Sequence, residues 1–428
     1  MTTRRYSPRK RLFVYVSLLL LLSLLVAACG GSPAPGQSGT PTPGKTVPPT
    51  TVPMPPTQTS CPSTGTARGA IMTRLVQGSH ANVVYVYNQG PGSTPHPLAG
   101  ILKRYDLTTR SQRDILNVQQ ASIDGAQVST DGQWVLFSTM VSDRSALQLV
   151  RMDGQGLQTL YCSAPDERIG AVAWSPDQHY VAFQEGRKVY LLKVATGTLH
   201  LAVTSGSQVG YVLRTWLDNT HLYLSSYGAT EMPPLNLSLL DSSTDTVQQV
   251  LTSPTLCGDF DRSFDGTQLF TSECQFAMPL KGGPSIILVQ PATGGPAMTI
   301  YRTPSYAITA LRVASITTLL FVIDNTGVGG MDTSHNGLWK VNTDGTGLTR
   351  LTNNAADETT TFTYTRSLRS TTSPDGGSYA VQVTNTSSRI SSLLIGSMNG
   401  GEPLAFADLP GNTGTRDTLD IVGWTTMG

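Results

Sequence analysis

A four-strand module recurs along this chain, and no other feature restricts its fold as severely. The module is written out in full at Arg168–Thr204. Short apolar alternations broken by turns argue strands and not helices. Ala171–Trp174, Tyr180–Phe183, Val189–Val194 and Leu199–Val203 are the expected strands. Ser175-Pro176-Asp177-Gln178, Gly186-Arg187 and Thr196-Gly197 separate them. Each is a turn for a physical reason: Pro presets φ, Asp bonds its own backbone, and Gly tolerates left-handed conformations. Four antiparallel strands in about 40 residues cannot bury both faces alone, so further copies must flank them.

The first turn returns as Ser129-Thr130-Asp131-Gly132, Ser263-Phe264-Asp265-Gly266 and Ser373-Pro374-Asp375-Gly376. Asp131, Asp177, Asp265 and Asp375 are therefore 46, 88 and 110 residues apart. The last two gaps are each about twice the first, which places a worn copy in each. Trp216-Leu217-Asp218 and Leu311–Phe321 fill those places. The final strand pair returns seven times, from Ile101, Leu147, Val189, Leu235, Ile286, Gly337 and Ser392. The turn aspartates are assigned a structural role, because they recur where the turn needs them.

The first copy, near Val83–Tyr87, lacks its leading strand, and Leu419–Thr425 matches Ala171–Ser175. Two chain ends sharing one sheet would close a ring and leave only short edges. The expected fold is all-β: a seven-bladed β-propeller of four-stranded antiparallel blades, closed by N- and C-terminal strands in one blade. The count of copies admits six to eight.

The Ser-Pro-Asp-Gly turns resemble the TolB-type, WD40-like repeats of bacterial β-propeller lipoproteins. The tails Asp153-Gly154-Gln155-Gly156-Leu157 and Asp344-Gly345-Thr346-Gly347-Leu348 carry the resemblance best, and it spans roughly residues 80–425. Blades four and six depart from it by lacking the full turn. The resemblance implies a propeller. It implies no single activity, since the wider group includes binding platforms, a periplasmic accessory protein and gating propellers of serine peptidases.

Residues 1–28 read as an export signal: Arg4, Arg5, Arg9, Lys10 and Arg11 precede an apolar Leu12–Val26. Val26-Ala27-Ala28-Cys29 resembles the bacterial lipobox, which implies an acylated Cys29 held in membrane lipid. A plain signal peptide or an uncleaved anchor is the bland alternative. Residues 29–60 form a tether, with nine Pro in Gly30–Ser60 and almost no large apolar residues. Pro-rich chain is stiff, so its reach is at most roughly 90–100 Å. Residues 61–428 are the propeller domain. The expected location is the cell envelope, lipid-anchored and facing outside the cytoplasm.

Without the five signal cations, 24 basic residues face 28 acidic ones, a net charge of −4. No basic stripe exists, which argues against nucleic acid. In an oxidising compartment the four remaining cysteines are candidates for bridges. Cys257 and Cys274 lie symmetrically about Asp265-Gly266 and would face each other across a hairpin. Cys61 and Cys162 would then pin the start of the body to the end of blade two. The sequence alone allows three pairings.

There is no His-Glu-x-x-His zinc signature, no Gly-x-Ser-x-Gly elbow and no phosphate-cradling loop. Neither a metal nor a cofactor is implied. Asp332–Gly337 has oxygen ligands at alternate positions, but the twelfth position is Thr343 where a calcium loop needs Glu. Gln89–Ala99, Gln275–Gly283 and Asn353–Arg366 read as long loops, which often carry function. Phe362 and Tyr364 in the last could form a recognition edge. The inner strands are poor in acid–base groups except at Asp259 and Asp261. The expected function is a monomeric binding or scaffold module for a protein, peptide or glycan. The rivals are a sugar lyase or hydrolase acting in the central channel, and an accessory part of an envelope complex.

Overall fold

The computed structural model describes residues 60–62, 74–90, 99–141, 144–206, 210–227, 236–252, 259–277, 281–303, 306, 308–323, 334–352, 360–363, 372–385, 390–409 and 417–427. Among them 28 strands run from β1 (Gln77–Gln89) to β28 (Thr418–Met427), in seven antiparallel sheets of four. The module at Arg168–Thr204 is one sheet: β8 (Ile169–Trp174), β9 (Tyr180–Glu185), β10 (Lys188–Lys193) and β11 (Thr198–Thr204) in sequence order. The worn copies form complete blades as well. Blade four opens on β12 (Gly210–Trp216) and blade six on β20 (Ile308–Ser315).

Blade one is built from both chain ends. Its order is β28, β1, β2 (Ala99–Asp106) and β3 (Gln112–Gln119). Val83 faces Trp424 and Tyr87 faces Leu419 across the β1–β28 seam. The C-terminal strand thus supplies the innermost position that the first copy lacks.

The core is seven clusters, one between each pair of adjacent blades. Alternate residues of a strand point to opposite faces, so each strand feeds two clusters. Val83 and Tyr85 pack against blade seven, with Leu393, Phe406 and Trp424. Val84 and Val86 pack against blade two, with Val135 and Phe137. Val181 and Phe183 face blade two, whereas Ala182 faces blade four. Both faces of a blade are buried, which explains apolar runs such as Val135-Leu136-Phe137 and Leu319-Leu320-Phe321.

The first turn of each full repeat is wired by its own side chains. Ser129 Oγ donates to Asp131 Oδ1 at 2.7 Å, and Gln133 N–H donates to the same oxygen at 3.1 Å. Trp134 N–H closes the turn on Ser129 Oγ at 2.9 Å. Ser175 with Asp177, Ser263 with Asp265 and Ser373 with Asp375 repeat the hydrogen bond. The fourth turn residue is left-handed: Gly132 has φ 72°, Gly266 72° and Gly376 68°. Blade three places Gln178 there at φ 62°. The Ser263 hydroxyl and the Thr267 N–H hold the Asp265 carboxyl below its ordinary range, and Ser373 and Gly377 do so for Asp375. At Asp177 partial burial opposes the shift, and the Ser175 hydroxyl with the His179 N–H outweighs it.

Two expected loops are corrected. Residues 275–283 are largely paired: β17 (Gln268–Ala277) and β18 (Lys281–Pro291) form one long hairpin, with Phe276 opposite Gly282. Gly282-Gly283-Pro284 gives a loop signal, yet the ladder continues past a register shift between Cys274 and Phe276. Within 353–366, Thr360–Thr363 is strand β24, which leads blade seven, and Phe362 pairs with Val383.

Cys61 is bonded to Cys162, across a sequence separation of 101. Cys162 ends β7 (Gln158–Cys162), the outermost strand of blade two. Cys274 lies in β17 opposite Ser285. Its expected pairing with Cys257 lies outside the described residues.

Candidate functional site

Seven inner strands run around one axis, and their first turns meet at one end of the channel. There they enclose a cavity of 450 Å³, lined by residues from every blade. This lies in the range of about 300–1,000 Å³ usual for small-ligand sites.

Three tryptophans stand at this level, each ending or nearly ending an inner strand: Trp174, Trp216 and Trp424. Their rings are wedged between blades and are 6 %, 1 % and 6 % exposed. Trp216 Nε1 donates to the Ala173 carbonyl of the preceding blade at 3.1 Å. The tryptophans therefore fix the diameter of the mouth.

The rim is set by the second residue of each turn. Pro176 and Pro374 occupy it in blades three and seven, and Thr130 in blade two. Blade five places Phe264 there and blade six places Ile316, 41 % and 81 % exposed. Two large apolar side chains on adjacent blades thus face solvent at the mouth. Sequence reasoning missed both. The signal was an apolar residue where a turn normally takes Pro or a small polar residue.

An inner strand has one edge without a strand partner, and side chains from the neighbouring blade cover its amides. Gln127 Oε1 accepts from Trp174 N–H at 2.8 Å. Gln184 Oε1 accepts from Leu213 N–H at 3.0 Å, and Asn88 Oδ1 from Ile123 N–H at 2.9 Å. Asp259 and Asp261, the expected inner-strand candidates, serve the same purpose. Asp259 Oδ2 accepts from Leu311 N–H at 3.0 Å, and Asp261 Oδ2 from Val313 N–H at 2.8 Å.

The two aspartates differ in their cations. Asp259 forms an ion pair with Arg312 and lies 3.8 Å from Arg214. Arg214 also stacks over Phe260, 5.3 Å from the ring centre. Asp261 is 4 % exposed and lines the mouth. Burial pushes its carboxyl up to about 6, against the opposing charge of Arg312 and the N–H groups of Val313 and Arg262.

A proton bound more tightly in the folded state stabilises the fold at low pH. The contribution is complete below about pH 3.8 and is lost as pH rises through about 6. We expect urea-derived stability to fall by roughly 1–2 kcal/mol between pH 5 and 7.5 through this group. Asp261→Asn should flatten that slope. A wild-type slope that persists in the variant would assign it to another group.

Catalytic chemistry finds little to use here. Among the described lining residues the only carboxylates are Asp261 and Asp375, and none is a histidine. Asp375 is already held by Ser373 and the Gly377 N–H. The side chain of Phe362, and Tyr364 entirely, lie outside the described residues, as does the N-terminal segment bearing Cys29.

No protein-family model matches the chain, and no curated protein matches it in sequence. Solved structures do. The chain is similar to the β-propeller domain of the Trilobed protease from Pyrococcus furiosus, which has an open velcro topology. The identity is 10 %, the TM-score 0.51, and the match covers 79 % of this chain and 97 % of that one. TolB from Acinetobacter baumannii matches at 14 % identity and TM-score 0.40, over 74 % of this chain and 81 % of that one. The tricorn protease matches at 10 % and 0.49, over 83 % of this chain and 37 % of that one. At these identities the likeness speaks for fold alone: the chain is a seven-bladed β-propeller whose own C-terminal strand closes the ring.

Proposed function

We propose that the protein is a membrane-tethered binding module of the cell envelope that takes a segment of another protein at the mouth of its channel. The observation that carries this reading is the rim itself. Phe264 and Ile316 present apolar surface over an open cavity, where isolated turns would normally be polar. The scarcity of acid–base groups in the same cavity favours binding over turnover. Acylation of Cys29 would hold the module at a membrane through the Pro-rich tether. The Cys61–Cys162 bond supports an oxidising compartment.

Photo-crosslinking in native membranes tests the reading. A crosslinker placed at Ile316 should trap a defined protein adduct, and one at Leu404, exposed on the outer strand of blade seven, should not. Phe264→Ser with Ile316→Ser should weaken capture of that adduct about tenfold, as loss of an apolar anchor does. Adducts from Leu404 alone would move the site to the outer strands. Turnover of a polysaccharide panel by the purified protein would replace binding with catalysis.

A further inference from the structure

The mouth carries one charge that its backbone does not require. Gln127 and Asp261 occupy the same place in the repeat, two residues before Ser129 and Ser263. Each accepts the inner-strand amide of the next blade at 2.8 Å, Trp174 in one case and Val313 in the other. Those amides are equivalent by register: Trp174 faces Val181 and Val313 faces Leu319, each two residues before a buried phenylalanine, Phe183 or Phe321. A neutral amide therefore performs in blade two what a carboxylate performs in blade five.

A buried carboxylate has a large desolvation penalty unless a cation and hydrogen bonds offset it. Asp259, two residues earlier, has Arg312 and Arg214. Asp261 forms no ion pair among the described residues, although the charges of Arg312 and of Arg262, which also lines the cavity, bear on it. Arg262 directs its Nη1 toward the Ser263 carbonyl at 3.4 Å. The nearby Tyr223 phenol donates to the Ala292 carbonyl at 2.6 Å. The Asp261 oxygens accept from the Val313 and Arg262 N–H groups, and an ionised carboxylate has room for about four such bonds.

We propose that the mouth is a receptacle for a basic side chain at the tip of a partner protein's loop, its ammonium or guanidinium group meeting Asp261 while apolar neighbours rest on Phe264 and Ile316. This rests on the reading of the mouth as a binding site and adds the chemistry of what enters it. The size fits: 450 Å³ admits a loop tip and excludes a folded domain. Asp375 on the rim has its carboxyl held below the ordinary range and stays anionic, adding attraction for a cation. The arrangement would give Asp261 a cation in ion-pair contact, which no described side chain supplies.

The test titrates the full chain with two capped tripeptides, Leu-Lys-Leu and its neutral counterpart Leu-norleucine-Leu. Calorimetry gives the affinity, and the indole resonances of Trp174, Trp216 and Trp424 report occupancy of the mouth. Near neutral pH the lysine peptide should bind about tenfold more tightly, the usual scale for a buried charge pair. The preference should shrink below about twofold in Asp261→Asn. It should also shrink in the unchanged protein at about pH 5, where Asp261 is protonated, so the result does not depend on the variant folding. A preference retained in both arms would overturn the proposal. Equal binding of both peptides, lost with Ile316→Ser, would overturn the charge while leaving the mouth as a binding site. Binding of neither peptide would overturn both readings. Displacement of both by a neutral oligosaccharide would replace a protein loop with a glycan.

Discussion

Truncation before Thr418 should abolish cooperative unfolding of the propeller. The lost strand, β28, contributes Leu419, Ile421, Val422, Trp424 and Met427, each no more than 8 % exposed, to the clusters on both sides of blade one. Burial of such side chains stabilises by about 1.5–3 kcal/mol each. Their sum, roughly 10 kcal/mol, is comparable with the whole stability of an ordinary domain. The truncation also leaves Val83–Asn88 without pairing partners on the inner side and removes two ties to other elements. Thr425 Oγ1 donates to the Gly132 carbonyl at 2.9 Å, and Arg104 Nη1 to the Met427 carbonyl at 2.9 Å. Urea melts followed by circular dichroism should show a broad, shallow transition. Trp424→Ala, a milder lesion, should lower stability by about 3–5 kcal/mol while keeping the transition sharp. A truncated protein melting cooperatively at the wild-type midpoint would show that the inter-blade clusters hold the ring without its seam.

Reducing the Cys61–Cys162 bond should destabilise the fold by up to about 5 kcal/mol. The estimate follows from the loop the bond closes, 101 residues, through the entropy it removes from the unfolded chain. That loop contains β1, β2 and β3 of blade one and all of blade two. The bond therefore ties the segment that precedes β1 to the outer strand of blade two. Cys162 is held in place by ladder pairing with Ala146, and the next residue continues the pattern, with Ser163 N–H donating to the Ser145 carbonyl at 2.8 Å. Thermal melts of the intact protein with and without reductant should differ, and Cys61→Ser with Cys162→Ser should match the reduced form. Coincident melts would mean that the residues around Cys61 gain their order from elsewhere.

The sequence displays the propeller because its turns are local chemistry. Ser-x-Asp-Gly specifies a hydroxyl, a carboxylate and a left-handed residue within four positions, and the structure uses all three. Blade six is readable despite its missing motif, because spacing and the Leu319-Leu320-Phe321 run survive. The strand at Thr360–Thr363 is harder to see, because a threonine-rich run reads as polar loop. Its β-branched side chains were the available signal. The mouth is the least legible part. The roles of Gln127 and Asp261 depend on which strand lies beside them in the next blade, and those partners are 47 and 52 residues away. Nothing local distinguishes an aspartate that covers a neighbour's amide from one exposed to water.

The side chains that cover those inner amides have a consequence for recognition. Trp174, Leu213, Leu311 and Val313 already donate their backbone N–H groups, so these positions cannot dock an extended peptide by strand addition. A visitor gains no main-chain ladder there. It must be read by the shape and charge of what it inserts, which ties selectivity to a few side chains at the entrance and leaves the barrel of blades free to vary.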